Sequence, residues 1–179
     1  VTAFLAATAD ARRGLVHHLA RLDLVERIEW GRAPEPGWLE ALFVDERRVS
    51  RHRGSDDLYL RVLNLPAAMA ARGWAGDGEV VVAVEDALGA IDGTWRLTVR
   101  QGRGPAERLG PAADAVGLGA GLRLDAARFS ALWLGGHSRG AGAAVLAEAG
   151  VVAELRAGAA EAFDGLVRPS RPLHTLVGF

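Results

Sequence analysis

Three stretches of alternating side chains constrain the fold of this chain most. Apolar residues occupy every second position over Val80–Val84, Trp95–Val99 and Val116–Leu124. This period of two is typical of strands that bury one face and leave the other partly in water, as antiparallel strands do. Glycines at 117, 119 and 121 fill most of the alternate positions of the third stretch, which would let a bulky group approach that face closely. The pattern therefore predicts a sheet that is covered on one face rather than a parallel sheet buried on both.

Helical patterns surround these stretches. Pro66 suits the first turn of a short helix, where its missing N–H is not needed, and Asp125 is a good N-cap for another helix. An alternating strand is predicted from Leu58 to Val62. Helices are predicted over residues 66–73, 126–135, 140–149 and 159–167. Residues 55–179 therefore predict an α+β fold, with a mostly antiparallel sheet and helices on one face.

The first 54 residues have a different pattern. Leucines at helical spacing predict a helix over residues 2–22, and a short strand is predicted at Arg27–Trp30. A polar, glycine-containing turn at 54–57 marks a boundary. The sequence thus predicts two domains, residues 1–54 and 55–179.

Composition excludes several kinds of chemistry. The chain has 179 residues with neither cysteine nor lysine, so it offers no thiolate nucleophile, thiolate metal site or Schiff-base lysine. The net charge is -1 with both signs interspersed, which favours no nucleic-acid partner, and no apolar run could span a membrane. Because no positive charge precedes the first apolar residues, we expect a cytoplasmic protein without a signal peptide. The start at Val1 predicts that the chain begins inside a longer protein.

One hydrolase-like motif is present. Residues 136–140, GHSRG, match G-x-S-x-G, and Asp164 and His174 follow Ser138 in the order of a hydrolase triad. A nucleophile elbow needs a strand before the serine, however, and the preceding residues have a helical stripe. We therefore predict a turn between helices here.

Three further patterns indicate no cofactor or metal site. Residues 101–106, QGRGPA, match the pyrophosphate loop of acetyltransferases, but Pro105 removes one N–H donor, so a hairpin turn is predicted. Residues 117–121, GLGAG, lack the last glycine spacing of a dinucleotide loop. The five histidines have no ligand spacing. From these patterns we expect no cofactor and no metal bound by this chain itself.

The ordered set of elements resembles the C-terminal half of the enhanced intracellular survival (Eis) family of acetyltransferases. Residues 56–74, DDLYLRVLNLPAAMAARGW, are similar to the strand, proline and helix that open the family's C-terminal domain. DGTWRLTVRQG looks like its central hairpin strand. DAARFSALWLGG and AVLAEAGVVAEL look like the helix, double glycine and helix that follow, and PLHTLVGF takes the C-terminal position. RRGLVHHLARLDLVERIEW is similar to the tail of the family's central, degenerate acetyltransferase-like domain.

The resemblance implies a sterol-carrier-protein-like fold for 55–179 and part of an enzyme that transfers acetyl from acetyl-CoA to amines such as aminoglycosides. The α-carboxylate of Phe179 would be the general base, and Gly178 would let the backbone turn beside the substrate. The family's N-terminal domain, which binds acetyl-CoA and carries a tyrosine general acid, has no counterpart here, and Tyr59 does not correspond to that tyrosine. We therefore expect a fragment that is inactive alone. Its implied partners are that N-terminal domain, the amine substrate and further copies of itself, a hexamer in the family.

Two other functions remain open. The domain could be a sterol-carrier-like module that binds an apolar or lipid ligand between sheet and helices, and a dry tunnel would favour that function. Its predicted lining is Val116, Leu118, Phe129 and Trp133. The other possibility is a purely structural or oligomerising domain.

Overall fold

The computed structural model describes residues 1, 4–31, 37–52, 59–74, 76–136 and 141–168. The described residues up to 52 belong to one compact unit, and those from 59 to 168 belong to a second, larger one. The predicted domain boundary after residue 54 lies outside the described residues, so its position stays a prediction. None of the helices in the described ranges is long and apolar enough to cross a membrane.

The N-terminal unit contains helix α1, Ala9–Leu19, and two short 3₁₀ helices, Glu40–Leu42 and Glu46–Arg48. Thr8 caps α1, since its hydroxyl accepts a hydrogen bond from the Ala11 N–H at 3.1 Å. The strand predicted at residues 27–30 is wrong. These residues form no strand, and the unit offers none among its described residues for them to pair with. Trp30 instead packs on Phe4, with ring centroids 4.3 Å apart.

The larger unit is built on a five-stranded sheet. Its strands are β1 Gly78–Glu85, β2 Gly93–Val99, β3 Ala106–Gly110, β4 Leu122–Asp125 and β5 Ala153–Glu154. They lie in the order β3-β2-β1-β4-β5. Three neighbouring pairs are antiparallel, whereas β1 and β4 are parallel. The α+β class and the mostly antiparallel sheet are thus confirmed, with one parallel pair that the sequence pattern did not predict.

Four helices belong to this unit: α2 Leu65–Ala71, α3 Ala126–Leu134, α4 Ala143–Glu148 and α5 Ala159–Val167. The Asp125 carboxylate accepts a hydrogen bond from the Arg128 N–H at 2.7 Å, so the predicted N-cap of α3 is confirmed. All four helices contribute to one apolar core with β1, β2 and β4. Because alternate residues of a strand point to opposite faces, this core lies on a single face of the sheet.

One predicted strand is wrong, and another is shorter than predicted. Residues 59–62 form no strand, and the Val62 N–H donates instead to the Ser130 hydroxyl on α3 at 3.0 Å. Residues 116–121 form turns after a short 3₁₀ helix, Ala112–Asp114, and the strand begins only at Leu122. The turns cover the other sheet face, where Ala83 packs with Ala115 and Ala120. The small residues of this segment do allow a close approach, as predicted, but what approaches is the turn segment itself, which packs onto the sheet.

Candidate functional site

The predicted site residues, Phe179 and Gly178, lie outside the described residues, and so do Ser138 and His174. Two described helix ends precede those positions along the chain. Helix α3 ends at Leu134, shortly before Ser138, and α5 ends at Val167, before the last residues. Side chains from distant parts of the unit converge on these two ends.

Arg72 joins the two helix ends. One guanidinium nitrogen donates to the backbone oxygen of Trp133 in the last turn of α3, and the other terminal nitrogen donates to the oxygen of Val167 in α5 at 2.9 Å. The guanidinium also lies 4.3 Å from the ring centroid of Trp74 and 5.6 Å from that of Trp133. We call Arg72, Trp74, Trp133 and the Val167 carbonyl the helix-end cluster. Burial lowers the pKa of the Arg72 guanidinium from its ordinary value, but arginine remains charged at neutral pH.

Trp74 gives this cluster a fixed base. Its side chain is buried, and its Nε1–H donates to the backbone oxygen of Met69 at 2.8 Å. Its ring lies directly against Gly104, where a Cβ atom would come within 2.3 Å of Nε1. Only glycine fits such a close approach. The indole is therefore held between α2 and the chain that leads into β3.

Asp164 has a structural role in α5. Its two carboxylate oxygens accept hydrogen bonds from the N–H groups of Ala143 at 2.6 Å and Ala144 at 3.0 Å, at the start of α4. A Cβ atom at Gly142 would come within 2.4 Å of this carboxylate, so the contact needs glycine. Both oxygens are thus engaged by backbone, and this capping role accounts for Asp164 without a hydrolase triad. The residues before GHSRG form helix α3, which confirms that no strand precedes Ser138.

The loop that resembles a pyrophosphate site is a tight hairpin turn, as predicted. Arg100 and Arg103 pair across it, and β2 and β3 continue on either side. The Gln101 N–H already donates to the carboxylate of Asp77 at 2.9 Å. A phosphate cradle needs several free N–H groups aimed at one point, and the Gln101 N–H is not free for that purpose.

An open acidic depression of about 460 Å³ lies at the carboxyl ends of β1 and β4. Its most buried charge is Asp86, which accepts hydrogen bonds from the N–H groups of Leu88 and Ile91, both at 3.0 Å, and from Arg61 at 2.5 Å. Burial alone would raise the pKa of Asp86, but these hydrogen bonds and the Arg61 charge outweigh it and lower the pKa. Asp86 thereby closes the loop between β1 and β2. Among the described residues, no three histidine or acidic side chains form a possible metal site.

The four residues whose tunnel would favour a lipid-binding module do not come together around one. Val116 is 74% exposed, in the turns on the sheet face opposite the helices. Phe129 is fully buried on the helix side, where its ring meets that of Phe163 with centroids 6.2 Å apart. Val116 belongs to the turns whose Ala115 and Ala120 pack on one face of the sheet, whereas Phe129 belongs to the core on the other face, so the two do not line one cavity.

Comparison with known proteins finds two family models that match successive parts of this chain. Residues 65–174 match the family model of a sterol carrier protein domain, and residues 1–62 match that of an acetyltransferase (GNAT) domain. An uncharacterized N-acetyltransferase of Streptomyces avermitilis is 37% identical over 169 residues, which cover 93% of this chain and 37% of the relative. The N-acetyltransferase Eis of Mycobacterium tuberculosis is 32% identical over 140 residues, covering 76% of this chain and 32% of the relative. The crystal structure of Eis1 from Mycobacterium abscessus gives a TM-score of 0.75 at 29% identity, covering 99% of this chain and 43% of that one.

The chain belongs to the Eis-like family of N-acetyltransferases. The resemblance inferred from the sequence is therefore confirmed, as is the sterol-carrier-protein-like fold of its C-terminal part. The Eis-like chain spans 37% of the Streptomyces relative and 32% of the mycobacterial one. The activity and partners of the whole proteins are consequently matters for a proposal.

Sequence reasoning missed the helix-end cluster. Arg72 follows a short helix and precedes Gly73, which is ordinary for a surface arginine at a helix end. Its two carbonyl partners lie 61 and 95 positions away along the chain. The only local sign was Trp74, close enough in sequence to stack on the guanidinium.

Proposed function

We propose that this chain is the C-terminal part of an Eis-like N-acetyltransferase that transfers acetyl from acetyl-CoA to an amine such as an aminoglycoside. The observation that carries this proposal is the order of the two family matches, acetyltransferase and then sterol carrier protein, along one chain. In this proposal the N-terminal acetyltransferase domain of the same protein binds acetyl-CoA. The present chain supplies a base and part of the amine-binding wall. The complete protein works in the cytoplasm as a homo-oligomer, the hexamer that the resemblance implies.

The reaction needs a base because alkyl amines are mostly protonated at neutral pH. The base takes one proton from the ammonium group, so that the free amine can attack. The amine nitrogen then forms a bond to the acetyl carbonyl carbon, the bond from that carbon to sulfur breaks, and CoA leaves as a thiolate that takes the second nitrogen proton. We assign the role of the base to the α-carboxylate of Phe179. A free α-carboxyl group has a pKa of about 3.3–3.7, which makes it a weak base. Burial among Leu173, Leu176 and Val177 would raise that pKa toward the working range.

Two alternative functions have less support. A serine hydrolase needs a free carboxylate to orient its histidine. Both carboxylate oxygens of Asp164, however, accept hydrogen bonds from backbone N–H groups at the start of α4. A lipid-binding module needs an apolar space between sheet and helices, whereas Phe129, Phe163 and Leu122 fill that region with side chains that are 0% exposed.

The test is to extend the complete enzyme by one glycine after Phe179, which moves the carboxylate by one residue. We expect kcat to fall by about 10²–10⁴-fold, the usual contribution of a positioned base, while the affinity for acetyl-CoA stays unchanged. The matched control extends the N-terminus by one glycine. Unchanged turnover of the C-terminally extended enzyme would remove Phe179 from the mechanism.

A further inference from the structure

We propose that helices α4 and α5 form one conformational unit, a cover on the helix side of the sheet that opens as a whole while the sheet and α3 stay folded. The inference goes beyond the proposed function and does not depend on it. It rests on the side chains that cap these helices. The start of α4 and both ends of α5 are capped from other elements of the fold.

Helix α3, by contrast, is capped by residues next to it in the chain. The backbone groups at the two ends of a helix have no partner within the helix. At the start of α3 the Asp125 carboxylate accepts a hydrogen bond from the Arg128 N–H at 2.7 Å. At its end the Gly135 N–H donates to the oxygens of Ala131 and Leu132 at 3.2 Å and 3.0 Å. Helix α3 therefore keeps both caps when its neighbours move.

Helix α4 depends on α5 for its start. Its N-cap residue, Gly142, has no side chain that could accept a hydrogen bond. The Asp164 carboxylate of α5 takes that place, and it accepts from the N–H groups of Ala143 at 2.6 Å and Ala144 at 3.0 Å. Helix α4 has only six residues, and isolated helices shorter than about 12–15 residues are marginal in water. We therefore expect α4 to lose its first turn unless it moves together with α5.

Helix α5 is held at both ends by side chains of other elements. At its start the Ala160 N–H donates to the Glu154 carboxylate of β5 at 2.9 Å. At its end the Val167 oxygen accepts from the Arg72 guanidinium at 2.9 Å. The next residue, Arg168, continues with an extended backbone, φ −63° and ψ 120°, rather than as a glycine cap. Both end contacts are therefore lost when α5 moves away from the sheet.

Opening of this unit leaves a measurable trace in the folded protein. Helix α5 packs on β1 and buries Phe163 and Leu166, so the open state exposes apolar surface and is sparsely populated. Such partial openings appear as amide hydrogen exchange that is faster than global unfolding allows. Arg72 is the best contact to remove. In the described part of the chain its hydrogen bonds to helices reach α3 and α5 but not α4, so any effect on α4 reports the coupling.

The experiment is amide hydrogen exchange of the complete protein, followed by mass spectrometry of peptides from α3, α4, α5 and β1. Arg72→Met keeps the aliphatic stem and loses the charge and the donors. We expect exchange to become about 10-fold to 100-fold faster in both α4 and α5, the effect of losing a hydrogen bond to a charged group. Exchange in β1 and at the start of α3 should stay unchanged. Arg96→Met, on the other face of the sheet, is the matched control and should change none of the four elements.

Three results would overturn the inference. Faster exchange confined to the last turn of α5 would be fraying of one helix end. Unchanged exchange in α4 would show that the two helices are not coupled, and equal acceleration in β1 would show that only the whole domain opens. If Arg72→Met does not fold, as judged by circular dichroism, Arg72→Lys decides. Lysine keeps the charge but not the planar fork of donors, so we expect a smaller acceleration in the same two helices, and an acceleration that omits α4 overturns the inference.

Discussion

On the helix-covered face of the sheet, Val82, Val84 and Leu122 pack against large side chains of the helices, whereas on the opposite face Ala83 packs against Ala115 and Ala120. The first face excludes water with bulky groups from four helices. The opposite face has small residues where the turn segment 115–120 lies almost directly on the strands. Elsewhere this face of the sheet carries charged side chains. The comparison indicates that apolar burial on the helix side provides most of the stability, while the opposite face contributes little per residue.

The largest effect should therefore come from the helix side. Phe129 is fully buried and its ring meets that of Phe163. Phe129→Ala should lower the free energy of unfolding by about 3–5 kcal/mol, because it removes apolar contacts and leaves a cavity. Urea denaturation followed by circular dichroism measures this change.

The matched substitution Phe129→Leu conserves more of the volume and should cost less than about 1.5 kcal/mol. A similar small loss for Phe129→Ala would mean that the helix side collapses around the gap, and the contrast between the two faces would then be weaker than the burial indicates.

The same contrast explains which parts of the fold the sequence could predict. The strand Trp95–Val99 and the cap Asp125 carry their signal locally, in alternation and in residue type, and both are confirmed. Residues 116–121 also alternate, but there the alternation reflects small residues in a turn segment under the sheet. A two-residue period cannot distinguish these cases, because the deciding contact with Ala83 is remote in sequence. The parallel pairing of β1 with β4 was missed for the same reason.

The proposed roles of Phe179 and Gly178 come from the family resemblance and stay predictions, whereas the helix-end cluster was not predicted from the sequence. Nothing in the spacing of Arg72 indicates that it binds Trp133 and Val167, since helix packing brings these residues together.

The literal motif around Ser138 matches that of a hydrolase, but the helical stripe before it already argued against a nucleophile elbow. The structure confirms that helix and shows Asp164 bonded to the backbone at the start of α4. A motif is defined by residues that are neighbours in the sequence, whereas the geometry of a functional site depends on contacts between elements that are distant in the sequence.

A smaller effect is expected from the buried charge at the end of β1. Asp86→Asn should lower the free energy of unfolding at pH 7 by about 1–3 kcal/mol, because an amide cannot accept all the hydrogen bonds that Leu88, Ile91 and Arg61 donate. The folded state lowers the pKa of Asp86. The stabilisation by its carboxylate is therefore present above the unfolded pKa of about 3.9 and is lost as the pH falls through the lower, folded pKa.

Urea titrations at pH 7 and at decreasing pH below 4 measure this dependence. The difference in stability between the wild-type chain and Asp86→Asn should shrink as the medium becomes more acidic. Asp114→Asn, at an exposed position, is the control and should show no such trend. A constant difference across this range would show that the Asp86 charge is not what stabilises the loop.

The smallest effect should come from the charged part of the opposite face. Arg96 is 39% exposed in its side chain and lies between two carboxylates, 3.5 Å from Glu79 and 2.7 Å from Glu107. Exposed ion pairs contribute about 0–1 kcal/mol, because solvent screens them and ordering long side chains costs entropy. Arg96→Met should therefore reduce the free energy of unfolding by less than about 1 kcal/mol, and the difference should fall further as salt is raised from 0.05 M to about 1 M, where the screening length is about 3 Å. A loss comparable to that of Phe129→Ala, or one that salt does not change, would mean that Arg96 acts through packing of its stem on β1 and β3. The opposite face would then contribute to the core much as the helix side does.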